Sequence, residues 1–273
     1  LELAAIQAHL ALFTTAAASL YVWHLFLRPW LLKRHPFTVI DVNSEAPEVW
    51  TVTLAPPEGK QVKDYLPGQF HFIRFFRGRG LPVEEHHWTI SSSPARKDSI
   101  SSTIKNLGDF TSTIGETKAG DLASVHGPFG RFSHVLHPQE KDLVFFAGGI
   151  GITPLMSMIR YMRDVQDTSS ILLFYANRKE NLIVFKDELA RIEEEGYPRL
   201  RTVHVLNNPD EGWQGETGLI DEKMIGKHCT GNLEEKGFYV CGPPPMLQSI
   251  VSSLLDLGVD DKKIRIELFS FLD

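Results

Sequence analysis

Only two cysteines, Cys229 and Cys241, occur in the 273 residues. That is too few for a four-cysteine iron–sulfur cluster within the chain, and it offers no framework for a secreted disulfide scaffold. A reducing compartment is the expectation. No Lys/Arg-rich patch or stripe is present and the formal net charge is −6, so the electrostatic footprint of a nucleic-acid binder is missing. Long repeats and low-complexity segments are lacking too, which leaves domain boundaries to be read from changes of hydrophobic period. What remains is ample for folding: 42% of residues are hydrophobic, enough for sizeable cores in one large domain or two of ordinary size, and two is expected.

Charge is also missing locally. Leu3 to Leu27 contains no formally charged residue, and Arg28, Lys33 and Arg34 follow closely. Twenty-five residues rising about 1.5 Å each would cross an apolar slab of roughly 30 Å, and the basic flank would leave the following domains on the cytoplasmic side. Residues 1–34 are therefore expected to form a transmembrane helix with its flank, with Tyr21, Trp23 and Trp30 at the interface. Gln7, His9, Thr14, Thr15, Ser19 and His24 interrupt the apolar run, which predicts packing against other helices. A signal peptide is the competing reading, but no basic stretch precedes the run and no small-residue cleavage site follows it. Because the chain opens on Leu1, a fragment of a longer membrane protein is the expectation.

From Phe37 to about Val125 the runs "FTVIDV", "VWTVTLA", "FHFIRFF", "HHWTIS" and "SISSTIKN" are short, alternating and rich in β-formers, which predicts an antiparallel β-barrel over 35–138. Pro67-Gly68 and Gly78-Arg79-Gly80 bracket the third run as turns, and "GPFG" at 127–130 closes the region. Beyond Gln139 strands alternate with helices: "DLVFFAG" with "PLMSMIRYM", "ILLFYAN" with "FKDELARIEEE", "GFYVCG" with "MLQSIVSSLLDLG". That predicts an α/β doubly wound parallel sheet over 139–273.

Within this second half "VFFAGGIGITP" runs from an apolar strand through a Gly-rich turn into a helix. Gly148, Gly149 and Gly151 would let backbone approach an anion, and Pro154 at the first helical position would leave neighbouring amides free for a pyrophosphate. The spacing departs from GxGxxG, and tight strand–helix packing is the alternative task of such glycines. In "FYVCGPPPM", Cys241 and Gly242 end a strand and Pro243 opens a rigid run, at the sheet edge where open α/β sheets bind ligands. In "YANRKE", Asn177 and Arg178 follow a strand and would reach a ribose or a 2′-phosphate, which makes Arg178 the candidate for choosing NADPH, with NADH as the other candidate. A solvated surface arginine is the plain alternative.

The ordered series "PGQF", "HHWTISSSP", "IKNLGDFT", "GPFG", "AGGIGITP", "YANR", "VCGPPPM" and a terminal "ELF" resembles the ferredoxin–NADP⁺ reductase superfamily over residues 37 to 269. A histidine in the "HHWTIS" slot after an apolar helix resembles, more narrowly, the reductase half of the ferric reductase and NADPH oxidase group. The resemblance implies that the barrel binds FAD and the α/β domain NAD(P)H. It places His86, His87, Trp88 and Thr89 in the family's R-x-Y-S/T motif, with His86 replacing arginine near the FAD phosphates, Trp88 stacking on flavin and Thr89 offering its hydroxyl near N5. Ile104, Lys105, Gly108 and Thr111 would form the second flavin element, with Asp109 turned away from phosphate, although Thr111 also suits a simple helix cap. Thr153, Cys241, Glu267 and Phe269 would surround the nicotinamide, Cys241 acting sterically. Phe269 would cover the flavin, with Phe271 as the alternative and core packing as the bland reading.

Histidines invite metal readings that the geometry discourages. His9 and His24 are fifteen residues apart, about 22 Å along a helix at roughly 1.5 Å per residue, too far to share one iron. Haem is expected only if upstream membrane helices exist. Neighbouring His86 and His87 point to opposite faces of a strand and lack further ligands, so no metal is expected. The functional expectation is a flavin-dependent oxidoreductase passing hydride from NADPH to FAD and then single electrons to a transmembrane haem, ferric iron or oxygen. A soluble-type ferredoxin or flavin reductase and a membrane-anchored nucleotide sensor without catalysis are the alternatives. No nucleic acid is expected as a partner.

Overall fold

Alternation of buried and exposed side chains sets the first sheet. The computed structural model describes residues 2–27 and 34–269. It folds β1 (Phe37–Ala46), β2 (Val49–Ala55), β3 (Phe70–Phe76), β4 (Glu85–Thr89), β5 (Ile100–Lys105) and β6 (Leu122–Phe129) into one antiparallel sheet. Their order is β4-β3-β6-β1-β2-β5. The two outer strands meet through a single bridge, Ile90 to Ser102, which closes the sheet into a barrel. Ile73 and Phe75 of β3 point inward with Val39, Val52, Leu54 and Ile104, and Phe110 from the short helix α2 (Asp109–Ser112) joins this core. The five expected strands are there, and β6 is a sixth that Gly127 and Pro128 disguised as a turn. A register shift between Phe70 and Phe72 marks its pairing with β3, the kind of irregularity where a residue without an N–H is tolerated in a sheet.

Near-continuous apolar runs build the second sheet, as burial on both faces requires. Strands β7 (Asp142–Gly148), β8 (Ser170–Asn177), β9 (Arg199–Leu206), β10 (Glu216–Thr217), β11 (Gly237–Gly242) and β12 (Ile264–Leu268) pair parallel, in the order β10-β9-β8-β7-β11-β12. Helices α3 (Ile152–Asp164) and α4 (Lys186–Glu195) bury Leu155, Ile159, Leu189 and Ile192 on one face. Helices α5 (Glu222–His228) and α6 (Pro244–Asp256) bury Ile225, Ile250 and Leu254 on the other. The chain steps outward from β7 in one direction and resumes at β11 in the other. The β7/β11 crevice is thus the topological switch point, where ligands of such sheets bind.

Helix α1 (Glu2–Val22) continues into a π-helical turn, Trp23–Leu27. The stretch Leu3–Leu27 is long and apolar enough to cross a membrane by length and composition, and none of it is buried in the fold. Two of its polar groups bond to the helix itself: Thr14 Oγ1 donates to Leu10 O at 2.9 Å and His9 Nδ1 lies 2.7 Å from Ala5 O. Such back-bonding satisfies these side chains without a neighbouring helix. Arg28, Trp30, Lys33 and Phe271 lie outside the described residues.

Candidate functional site

Strand β4 carries the first half of the site. Pairing across β3 places His86 opposite Ile73, Trp88 opposite His71, and Thr89 opposite Phe70. His86 and Trp88 therefore share a face, while His87 and Thr89 share the other. His86 lies 4.3 Å and Trp88 5.9 Å, centroid to centroid, from the ring of Phe110, so an aromatic platform spans the seam between β4 and α2. Glu84 Oε2 sits 2.9 Å from His86 Nε2. His87 instead joins Phe70 and Phe72 on the outer wall, with centroids 5.9 Å apart in both pairs. The Thr89 hydroxyl makes no hydrogen bond among the described residues although the residue is buried, which leaves it available to a ligand.

The second flavin element is arranged differently from expectation. Ile104 is 1% exposed and packs into the barrel core, so it cannot touch a cofactor on the outside; alternation turns Lys105, half-buried, the other way. Thr111 Oγ1 accepts from the amides of Leu107 at 2.8 Å and Gly108 at 2.9 Å, and donates to Gly108 O at 3.0 Å. It caps the start of α2, and two amides that a pyrophosphate would have engaged are already bonded.

The nucleotide half lies at the switch point. A Cβ on Gly151 would stand 2.4 Å from the Cys241 carbonyl oxygen, and one on Gly148 2.5 Å from Met246 Sδ and 2.7 Å from Pro243 Cδ. Gly242 in turn faces Gly148, its Cβ position 3.1 Å from Gly148 N. These three glycines let the β7 and β11 loops touch each other, so Gly148 and Gly151 serve the tight packing that was the alternative reading rather than opening towards an anion. Gly149 alone in the turn has positive φ, +52°, with nothing within 4 Å of a Cβ position. It forms an open cradle that a side chain would fill. Pro154 is the third residue of α3 rather than the first, and Thr153 is buried with its hydroxyl donating to Ile150 O at 3.1 Å.

Around this cradle stand the remaining candidates. Pro243 is exposed at the end of β11. Asn177 is 6% exposed and its Nδ2 lacks a partner, while Arg178 beside it is exposed. Cys241 and Glu267 are neighbours across β11 and β12. Burial, helped by the Glu267 charge, raises the Cys241 thiol well above its ordinary value, so it is no thiolate. Burial raises Glu267 to about 7. Phe269 is half-buried, packed against the core that contains Cys241 and Tyr239.

The two halves meet. The Gly149–Gly151 turn lies against β5, and two bonds tie α3 to the segment that follows Thr89: Ser157 Oγ donates to Ser92 O at 2.7 Å and Arg160 Nη1 to Ser91 O at 2.7 Å. Sequence reasoning passed over Ser91, Ser92, Ser157 and Arg160. The "SSS" after Thr89 and the polar pair Ser157 and Arg160 on the buried side of α3 were the available signal. No group of three or more His, Cys, Asp or Glu suited to a metal occurs among the described residues.

Comparison with known proteins places this geometry. An oxidoreductase NAD-binding domain family model matches residues 145–252. NADH-cytochrome b5 reductase 1 from Lodderomyces elongisporus is 35% identical over 167 residues, 61% of this chain and 55% of the relative. The matched region spans a little over half the length of such reductases. The FAD/NAD binding domain of nitric oxide dioxygenase from Vibrio cholerae superposes with TM-score 0.76 at 23% identity, covering 86% of this chain and 98% of that one. The cytochrome b5 reductase domain of Ulva prolifera nitrate reductase follows with TM-score 0.74 at 22% identity, covering 86% and 98%. With an antiparallel barrel seated against a parallel sheet, a glycine cradle at the switch point, an oxidoreductase NAD-binding domain over 145–252 and these relatives, the chain is similar to reductases of the ferredoxin–NADP⁺ reductase superfamily and shares their two-domain fold.

Proposed function

We propose that the chain is a flavin-dependent reductase that takes electrons from NAD(P)H and hands them on singly. FAD, when bound, accepts a hydride and releases electrons one at a time. The residues fit both groups. Trp88, half-buried, offers rigid aromatic surface at the β4 seam with Phe110 packed behind it, and Thr89 holds an unused hydroxyl on the opposite face of the strand. Gly149 leaves room for a phosphate at the start of α3, and Asn177 ends β8 with its side chain buried beside Tyr175, next to the exposed Arg178. Arg178 stands one residue further on and would select a 2′-phosphate.

The chain's own contribution is alignment. A near-attack geometry needs the reacting atoms about 3–3.5 Å apart, and Cys241 supplies a small, neutral wall rather than a reactive group. Glu267 is neutral at acid pH and charged above about 7, so it can hold a proton beside Cys241. Phe269, at the end of β12, would have to yield to the nicotinamide. The finer placement in the ferric reductase and NADPH oxidase group, on the cytoplasmic face of a membrane, is supported by His86 in place of arginine and by the apolar stretch Leu3–Leu27. The observation that carries the reading is the approach of the Gly149–Gly151 turn to β5, which brings the nucleotide cradle and the flavin strands together. Anaerobic mixing of FAD-loaded protein with NADPH, then NADH, tests it: flavin absorbance should bleach, and no bleaching with either sinks the reading.

A further inference from the structure

Helix α3 has two tasks in one element. Its first turn follows the glycine cradle, while its second and third turns grip the barrel. Arg160 is the centre of that grip. Its Nε and Nη2 donate to the two Glu188 oxygens at 2.9 and 2.6 Å, its Nη1 donates to Ser91 O at 2.7 Å, and its guanidinium lies 4.5 Å over the Phe185 ring. A bidentate carboxylate and a stacked ring hold a guanidinium in one orientation, so the third bond to Ser91 is made by a fixed donor. Phe185, which caps the start of α4, adopts φ +62°, a left-handed conformation that is unfavourable for a non-glycine residue. Packing has to hold it there, and the Arg160 stack is part of that packing.

On the barrel side the grip falls on the backbone just after Thr89. Ser92 is fastened from three directions: its carbonyl accepts from Ser157, its hydroxyl lies 3.0 Å from the Tyr65 hydroxyl, and that same oxygen accepts from the Ser101 amide at 3.0 Å. The Ser91 hydroxyl lies 3.0 Å from Thr103 Oγ1. The segment therefore has little freedom of its own, and movement of α3 is transmitted to Thr89.

We propose that Arg160, with Ser157, is a positioning clamp that sets the spacing between the nucleotide cradle at the start of α3 and the flavin-facing Thr89. The proposal rests on reading those two places as nucleotide and flavin sites. Neither residue touches the reacting atoms. Their effect is on the transfer rate rather than on binding, since each ligand keeps its own contacts when the two halves slip.

The test uses the full chain loaded with FAD and the variants Arg160→Met, Arg160→Lys and Glu188→Gln. Two readouts are taken on each: the limiting rate and half-saturating NADH concentration of flavin bleaching, and amide hydrogen exchange over residues 90–101. A slip of about 1 Å costs on the order of 10²-fold in rate, so Arg160→Met should lower the limiting rate by that order and leave half-saturation within about twofold. Exchange over 90–101 should quicken while β1 and β2 stay protected. Arg160→Lys, which keeps one donor for Ser91, should recover most of the rate. An unchanged limiting rate in Arg160→Met overturns the clamp, as does a rise in half-saturation alone or a lysine variant no better than methionine. If Arg160→Met does not fold, Glu188→Gln decides: a slower limiting rate supports the clamp and a wild-type rate overturns it. If the wild type bleaches with neither nucleotide, the flavin reading fails, and exchange alone judges the clamp, faster exchange supporting it and unchanged exchange overturning it.

Discussion

The barrel half of the site and the α/β half are made of different material. On β4 the surface is side chain: the rings of His86 and Trp88 against Phe110, and the hydroxyl of Thr89. At the switch point it is backbone, with Gly148, Gly151 and Gly242 so close that loop touches loop. Side chains can be trimmed one atom at a time, and function should fall by degrees. Backbone contact allows no such trimming, because a single added methyl group meets a carbonyl that has nowhere to go.

Gly151→Ala tests the sharpest side of this contrast. Its methyl would stand 2.4 Å from the Cys241 carbonyl. The expected result is loss of NADH binding together with roughly 1–3 kcal/mol of stability, read by nucleotide titration and thermal melting. Gly149→Ala, in open space at φ +52°, should also weaken NADH binding, because its methyl fills the cradle, while costing only about 1–2 kcal/mol of left-handed strain and leaving the loops in place. A Gly151→Ala variant that keeps its nucleotide binding would mean that the loops are not in contact.

On the side-chain half, Thr89→Ala should slow flavin bleaching by about 10²-fold, while FAD affinity stays near that of the wild type; stopped-flow and equilibrium titration separate the two. A parallel loss of affinity would make Thr89 a binding group instead. Arg178→Ala is a smaller trim, from an exposed position. It should raise the half-saturating NADPH concentration about tenfold, the worth of one charge-assisted bond, and leave NADH unaffected. Equal effects on both nucleotides would remove the 2′-phosphate role.

The smallest expected effect concerns Glu267. Its carboxyl titrates near 4.5 when unfolded and is raised by burial to about 7 in the fold. Between those values the folded state holds a proton that the unfolded state releases, so stability falls as pH rises from about 4.5 to 7 and then levels. Glu267→Gln should flatten that decline by a few degrees of melting temperature across the window. A variant with the wild-type pH profile would show that the side chain is well solvated.

Much of the architecture could be read before any coordinates. β1 to β5 show themselves by alternation, and β7, β8 and β11 by apolar runs leading into amphipathic helices. β9 escaped notice because Arg199, Arg201 and His204 alternate with its buried Leu200, Val203 and Val205, and charge that dense reads as surface. Ile104 was misplaced for a related reason: a motif gives the strand but not its phase, and one step along a strand exchanges core for solvent. The Ser157 and Arg160 bonds to the barrel join residues 65 and 69 positions apart. Nothing local in a sequence announces a contact of that kind. The glycines could be read either as opening to an anion or as tight packing, since only coordinates distinguish a glycine that admits a ligand from one that admits another loop.

The barrel is closed at one point, where Ile90 bridges to Ser102. On either side of that bridge β4 and β5 are the outer strands of the sheet. Edges of this sort recruit strands from other molecules. Protein stripped of flavin should therefore be prone to self-association, and a scattering measurement that finds larger species in depleted samples, reversed by adding FAD, would mark the cofactor as the barrel's guard against aggregation.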